Sequence, residues 1–230
     1  AFFEVDGFHP SELAGFGLNK GGVELYLSYL PSNANDRVAD CVRFKGQEND
    51  RTWGRYPDGT ANWYDWHTTL PTTNTANVPA TRSVVISEIM YHPPTNAAYP
   101  NDNENDEFVE LYNPGSAAIA LTNDVGAYRL DGGIGFTFAA NAAIAAGGYV
   151  VVAPFDPVTN TAALNNFLLA YGLKNGQIPI VGPYSGHLSD RTDRVAVERP
   201  MAPDALGDPA TLWVIADEAI YADQYPWLSS

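Results

Sequence analysis

Alternating apolar and polar positions mark two strands in the middle of the chain. The run VVISEIMY at residues 84–91 predicts the first strand, and the run EFVELYN at residues 107–113 predicts the second. In the second run Val109 and Leu111 alternate with the residues between them, the period of a strand with one face in a core. Prolines follow both runs, and proline ends a strand because it has no backbone N–H to donate. The pattern therefore predicts two neighbouring strands joined by an acidic loop.

The same period predicts further strands on both sides of this pair. The apolar run YVVVA at residues 149–153 is typical of a central strand, whereas residues 161–171 favour a helix that ends at Gly172. A second short helix is predicted at residues 11–14, with Ser11 as its N-cap. We therefore expect an all-β fold with one or two short helices. Further predicted strands lie at residues 23–30, 38–44, 127–130, 136–138, 194–198 and 212–221 and around Trp53.

The first two of these strands predict a hairpin, because the polar loop PSNAND lies between them. Val23, Leu25, Leu27 and Tyr29 share one face of the first strand. Cys41 points to the other face of the return strand. Its strand context favours buried packing over a reactive thiol.

Composition excludes several classes of protein. The 230 residues are 45% hydrophobic, which is enough for one or two cores. The formal net charge of −15 disfavours binding to nucleic acid, because phosphate backbones are repelled. No apolar run approaches the ~20 residues of a membrane span. The single cysteine excludes an intramolecular disulfide.

An internal repeat suggests two modules. FGLNK at residues 16–20 corresponds to YGLKN at residues 171–175, and strand-rich sequence follows both. The stretch 68–82 is rich in Thr, Asn and Pro and has no apolar period. We therefore expect the C-terminal part of a first module at residues 1–77, a linker at residues 78–83, and a second module at residues 84–230 that lacks its last strand.

Three motifs of the second module resemble the lamin-tail domain family in its bacterial form. They are ISEI at residues 86–89, DEFVELYN at residues 106–113 and GGYVVV at residues 147–152. The first segment resembles the second half of the same family. The resemblance implies an immunoglobulin-like β-sandwich, and it implies a place in a large secreted or cell-surface protein.

No catalytic motif stands out in the sequence. The four histidines are far apart and none has the spacing of metal ligands, and no serine has a nucleophile-elbow sequence around it. We therefore expect a non-catalytic structural, adhesion or interaction module. The alternative is an accessory module of a secreted enzyme, of the nuclease, phosphatase or spore-coat-kinase-like classes that adjoin this family.

The acidic loop is a candidate calcium site. Calcium binds six to eight oxygen atoms, and a loop between two strands supplies several within a few residues. The loop departs from an EF-hand, because Glu107 replaces the turn glycine. A solvated acidic loop is therefore the favoured interpretation, and a Ca²⁺ site is kept as a hypothesis. Its candidate ligands are Asp102, Asn103, Glu104, Asp106 and Glu107.

Two kinds of partner remain open besides calcium. Aromatic side chains cluster in two places and would stack on carbohydrate if they formed an exposed row, although packing is the favoured role. The incomplete modules predict open sheet edges, which recruit a partner protein or a second copy into head-to-tail chains. The aromatic clusters are Trp53, Tyr56, Trp63, Tyr64 and Trp66 in the first segment, and Trp213, Tyr221, Tyr225 and Trp227 in the second.

Overall fold

The computed structural model describes residues 18–19, 21–48, 51–60, 63–66, 72, 74–77, 83–96, 99–100, 102–203 and 210–223, and the backbone alone at 63–66. The chain divides into two compact units. The first holds residues 1–81 and 201–215, and the second holds residues 82–200 and 216–230. The predicted helix at residues 11–14 and most of the predicted linker lie outside the described residues. That the first segment is part of another lamin-tail module stays a prediction.

Two antiparallel hairpins form in the first unit. Strands β1 (Val23–Tyr29) and β2 (Arg37–Phe44) make one, and strands β3 (Thr52–Arg55) and β4 (Trp63–Trp66) make the other. The Arg55 guanidinium donates hydrogen bonds of 2.5 and 2.8 Å to the Asp40 carboxylate, which ties β3 to β2. The buried cluster of this unit is small and consists of Met201, Leu212 and Val214.

The β1–β2 hairpin differs from its prediction in burial. The strands pair as expected, with Leu25 opposite Val42, but nearly every side chain of β1 is exposed. Leu25 and Leu27, which share the apolar face of β1, are therefore exposed. Cys41 is exposed as well, so its predicted buried packing is wrong. The reason is that, among the described residues, this sheet has two strands only, and alternation cannot tell whether a second layer covers an apolar face.

The second unit is a two-layer sandwich, which confirms the predicted all-β, immunoglobulin-like fold. One sheet has the strand order β12-β11-β6-β5 and the other has the order β13-β9-β8-β14-β15, with a small β10-β7 pair beside them. The elements are β5 (Val85–Met90), β6 (Phe108–Tyr112), β7 (Ile119–Ala120), β8 (Arg129–Gly132), β9 (Ile134–Thr137), β10 (Ala143–Ile144), β11 (Tyr149–Val152), α1 (Thr161–Ala170), β12 (Ile180–Val181), β13 (Ser185–Gly186), β14 (Thr192–Met201) and β15 (Leu212–Ala222).

The core lies between the two sheets. Alternate residues of the first sheet meet alternate residues of the second, as the period-two pattern predicts. Each of these side chains is almost completely removed from water. The central members are Val109, Leu111, Val150, Val152, Leu130, Ile134, Val195 and Val197.

A second apolar cluster covers the outer face of the β12-β11-β6-β5 sheet. Phe167 of helix α1 packs there against Phe108 of β6, with ring centroids 5.9 Å apart, and Val151 of β11 belongs to the same cluster. Strand β11 is therefore buried on both faces from Val150 to Val152, which explains why these three residues are all apolar. Helix α1 begins where the Asn160 side chain accepts a hydrogen bond from the Ala163 N–H. No helix among the described residues has the length and apolar character to cross a membrane.

Candidate functional site

The inward face of strand β6 is apolar in its middle and polar at both ends. Glu107 precedes the strand and Asn113 follows it, and they share the parity of Val109 and Leu111. Both polar residues are as deeply buried as the apolar ones, with 1% of Glu107 and 2% of Asn113 exposed. Buried polar groups need hydrogen-bond partners, so each end of β6 is a place where a loop is held.

Glu107 binds the chain on both sides of strand β13. Its Oε2 accepts hydrogen bonds from the Tyr184 hydroxyl at 2.7 Å and from the Leu188 N–H at 3.1 Å. Burial raises the pKa of Glu107 to about 7, an effect that the two hydrogen bonds oppose and the negative charges of Glu104 and Asp102 reinforce. This carboxylate is therefore a structural anchor whose charge is costly in the folded state.

The other members of the acidic loop point in different directions. Asp102 and Glu104 are exposed, whereas Asn103 is buried. The Asn103 amide donates to the Pro94 carbonyl at 3.0 Å and to the Asp106 carboxylate at 2.7 Å. Two of the candidate ligands therefore already have partners within the protein. The Asn103 amide donates to the Asp106 carboxylate, and the Glu107 carboxylate accepts a hydrogen bond inside the sandwich.

Within the described ranges, no three His, Cys, Asp or Glu side chains are grouped so as to hold a metal ion. The assignment of Ca²⁺ to Asp102, Asn103, Glu104, Asp106 and Glu107 stays a prediction.

Asn113 holds two loops at the opposite end of β6. Its Nδ2 lies 2.8 Å from the Ala117 carbonyl and 3.0 Å from the carbonyls of Ile144 and Ala145. Its Oδ1 accepts a hydrogen bond of 2.9 Å from the Gly115 N–H. One side chain therefore supplies hydrogen-bond partners to backbone groups of the turn after β6 and of the segment that leads to β11.

An ion network lies on the outer side of strands β8, β14 and β15. Glu198, which is fully buried, accepts hydrogen bonds of 2.8 and 2.9 Å from Arg129 and one of 3.2 Å from Arg194. Arg194 also forms ion pairs with Asp131 and Glu218. Both cations are thus shared among carboxylates, an arrangement that fixes three strands to one another.

The aromatic clusters do not form an exposed row in the part of the chain that is described. Trp53, Tyr56 and Trp213 are partly buried, and Tyr221 is buried and stacks on Tyr91 with ring centroids 4.4 Å apart. The side chains of Trp63, Tyr64, Trp66, Tyr225 and Trp227 lie outside the described residues. Binding of carbohydrate stays a prediction, without support from the four rings that are described.

The β1–β2 hairpin is the candidate interaction surface. Its exposed apolar side chains lie on both faces of one small sheet, with Leu25, Leu27 and Tyr29 on one face and Tyr26 and Val38 on the other. Exposed apolar groups that adjoin one another mark protein contact sites more often than scattered ones do. The exposed fractions are 41% for Leu25, 58% for Tyr26, 65% for Leu27, 51% for Tyr29 and 55% for Val38.

The charge around this hairpin differs from that of the whole chain. Residues 18–60 contain six acidic and six basic side chains, although the protein carries a net charge of −15. Another acidic surface is therefore repelled less here than elsewhere on the molecule.

Comparison with models of protein families places part of the chain in a known family. The family model described as Lamin Tail Domain matches residues 77–197, which are 121 of the 230 residues and include strands β5 to β13 and helix α1. No curated protein matches the chain. The matched region contains the three motifs of the second module and both buried ends of β6. Because the match spans more than half of the sequence and the fold agrees with it, the chain belongs to the lamin tail domain family.

Proposed function

We propose that this chain is a non-catalytic structural or adhesion module of a larger secreted or cell-surface bacterial protein, and that it binds other proteins through the β1–β2 hairpin. Membership of an immunoglobulin-like interaction family supports a non-catalytic role. The observation that carries the proposal is the exposure of apolar side chains on both strands of the hairpin, in a segment without net charge.

The chemistry of the hairpin fits a protein partner better than a small ligand. A small-molecule site is concave and nearly encloses its ligand, whereas this surface is a two-stranded sheet whose side chains project into solvent. Strand edges bind extended polypeptide through backbone hydrogen bonds, and neighbouring apolar side chains add burial. Both elements are present in β1.

Replacing Leu27 and Val38 with threonine is expected to remove apolar surface without loss of stability. Threonine keeps the strand preference of the residues it replaces, and exposed substitutions change the free energy of unfolding by about 0.5 kcal/mol or less. Binding of a hydrophobic dye such as bis-ANS should fall, because the two substitutions remove one exposed apolar side chain from each face of the hairpin. Urea unfolding at low protein concentration and dye fluorescence measure the two quantities.

The matched control replaces Val158 and Ile220, which are exposed in the second unit, with threonine. Dye binding to the control should stay close to that of the unchanged protein. A loss of about 2 kcal/mol or more in the hairpin variant would show that Leu27 and Val38 are packed, and the proposed surface would then be wrong.

A further inference from the structure

We propose that the partner of the hairpin is a second copy of this chain, and that the two β1 strands pair antiparallel, edge to edge, about a two-fold axis at Tyr26. This inference rests on the proposed function and adds to it the partner, the strand and the symmetry. The product is a closed dimer with a continuous β2-β1-β1-β2 sheet.

An edge is available because the hairpin is a two-stranded sheet. Among the described residues, β1 and β2 pair with each other and with no other strand. Within the described part of the chain, no strand lies beside the outer edge of β1, so the backbone N–H and C=O groups of that edge have no strand partner there. Hairpins of two strands are marginally stable in water, and added strands stabilise them. Pairing of two hairpins doubles the number of strands in the sheet.

Charge distinguishes β1 from β2 as the pairing edge. The sequence of β1, VELYLSY, has one charged side chain, Glu24, whereas β2 has three, Arg37, Asp40 and Arg43. Charged side chains on an edge strand oppose pairing with another chain. Asp40 of β2 is in addition bound to Arg55 of β3. The edge of β1 is thus the less protected one.

Self-pairing of β1 is compatible with the acidity of the protein. Residues 84–200 contain 12 acidic and five basic side chains, whereas residues 18–60 are balanced at six and six. Two copies that approach through their hairpins therefore bring together segments without net charge. Contact through the second unit would instead oppose two acidic surfaces.

The sequence of β1 matches itself in one register. Pairing of all seven residues, Val23–Tyr29, requires that Tyr26 stand opposite Tyr26 of the second copy. Leu25 of each copy then stands opposite Leu27 of the other copy, so that four leucines meet on one face. Glu24 stands opposite Ser28 of the second copy, which avoids a pair of like charges. The irregularity in the hairpin falls at Ala39 of β2, so β1 itself keeps regular alternation.

The dimer differs from the head-to-tail chain that incomplete modules suggest. In the proposed dimer the β1 edge of each molecule is paired with that of the other, so association stops at two molecules. A head-to-tail contact uses two different edges and leaves one of each open. The mass of the assembly therefore separates the two arrangements.

The test has a mass measurement and a cross-linking measurement. Sedimentation of the unchanged protein under reducing conditions should show a concentration-dependent change from one chain of 24.9 kDa to two chains, and no further. For cross-linking, Tyr26→Cys and Ser28→Cys are each made in a Cys41→Ser background and oxidised mildly. Directly opposed residues have Cα atoms about 4.5–5.5 Å apart, which suits a disulfide. The two Ser28 positions would be roughly 14 Å apart, since they are four strand residues of ~3.4 Å each apart along the strand direction.

We expect Tyr26→Cys to form disulfide dimers at least about tenfold faster than Ser28→Cys, since the latter distance forbids the bond without backbone movement. Equal rates would overturn the register, and a growing series of oligomers would overturn the closed symmetry. A mass of one chain at all concentrations would overturn self-pairing. If the dye measurements on the Leu27 and Val38 variant hold in that case, the proposed function stands and the partner is a different protein.

Discussion

Replacing Asn113 with alanine is expected to lower the free energy of unfolding by about 3 kcal/mol. Three hydrogen bonds of about 1 kcal/mol each are lost, two from the amide N–H groups and one to the amide oxygen, and buried carbonyls lose their donor. The Asn113 amide is close to the carbonyls of Ala117, Ile144 and Ala145, and its oxygen accepts from the Gly115 N–H. Alanine supplies neither group, and no water reaches a position that is 2% exposed without rearrangement. Urea unfolding monitored by circular dichroism measures the loss.

Two further variants separate the role of the amide from that of side-chain volume. Asn113→Asp keeps the shape and the acceptor for Gly115, but it sets a carboxylate oxygen against the carbonyls that the amide faced. We expect it to be at least as destabilising as alanine. Asn123→Ala is the matched control, because Asn123 also bonds a carbonyl and two N–H groups but is exposed. We expect the control to cost about 1 kcal/mol. Equal losses at Asn113 and Asn123 would contradict the role of burial.

The sequence was sufficient to predict the strands that have a readable period. Strands β5, β6 and β11 lie within a residue or two of their predicted bounds, and so does helix α1. Their period reflects burial on one or both faces, which local pattern records directly. Strands β7, β10, β12 and β13 were missed because each has two residues, too few for any period.

The burial of the first hairpin could not be predicted in the same way. The alternation in β1 and β2 correctly indicated strands and their pairing, as the register of Leu25 with Val42 shows. It also indicated an apolar face, but a sequence does not record whether another layer covers that face. Exposure of Cys41 and Leu27 is a property of the tertiary arrangement, and it is the property on which the proposed interaction depends.

The acidic loop contains a residue, Glu107, whose burial differs from that of Asp102 and Glu104 although it shares their charge. By charge and position in the sequence alone, Glu107 belongs with Asp102, Glu104 and Asp106. Its parity with Val109 and Leu111, however, already indicated the inward face of β6. The parity of Asn113 indicated the same. Polar residues at the ends of an apolar, alternating face are therefore better interpreted as loop anchors than as members of a surface cluster.

Glu107 makes the stability of the second unit depend on pH, and we expect this dependence to disappear in Glu107→Gln. The pKa of Glu107 is raised to about 7 in the folded protein, chiefly because of burial, from an ordinary value of 4.5. A raised pKa in the folded state means that the group contributes most to stability below pH 4.5. This contribution is lost as the pH rises toward 7, because the unfolded chain ionises first. Over that window the loss is on the order of 2–3 kcal/mol.

The measurement is the difference in unfolding free energy between the unchanged protein and Glu107→Gln at several pH values from 4.5 to 8. Other carboxylates titrate in both proteins and cancel in the difference, so the difference isolates Glu107. Glutamine stays neutral and keeps an oxygen for the Tyr184 hydroxyl and the Leu188 N–H. The free energy of unfolding of the variant, relative to that of the unchanged protein, should therefore rise by about 2–3 kcal/mol as the pH rises. Asp124→Asn, which changes an exposed carboxylate, should give a difference within about 0.5 kcal/mol at every pH.

Tyr184→Phe tests the same anchor from its other side. Its hydroxyl donates to Glu107 and so favours the ionised carboxylate, which lowers the pKa of Glu107 below the value that burial alone would give. Loss of this donor should shift upward the pH range over which ionisation of Glu107 lowers the free energy of unfolding. Glu107→Gln in the Tyr184→Phe background should again remove this pH dependence. A difference between the unchanged protein and Glu107→Gln that stays constant from pH 4.5 to 8 would contradict the raised pKa. Glu107 would then be an anchor that is ionised throughout, and the strength of its two hydrogen bonds would have to exceed the cost of its burial.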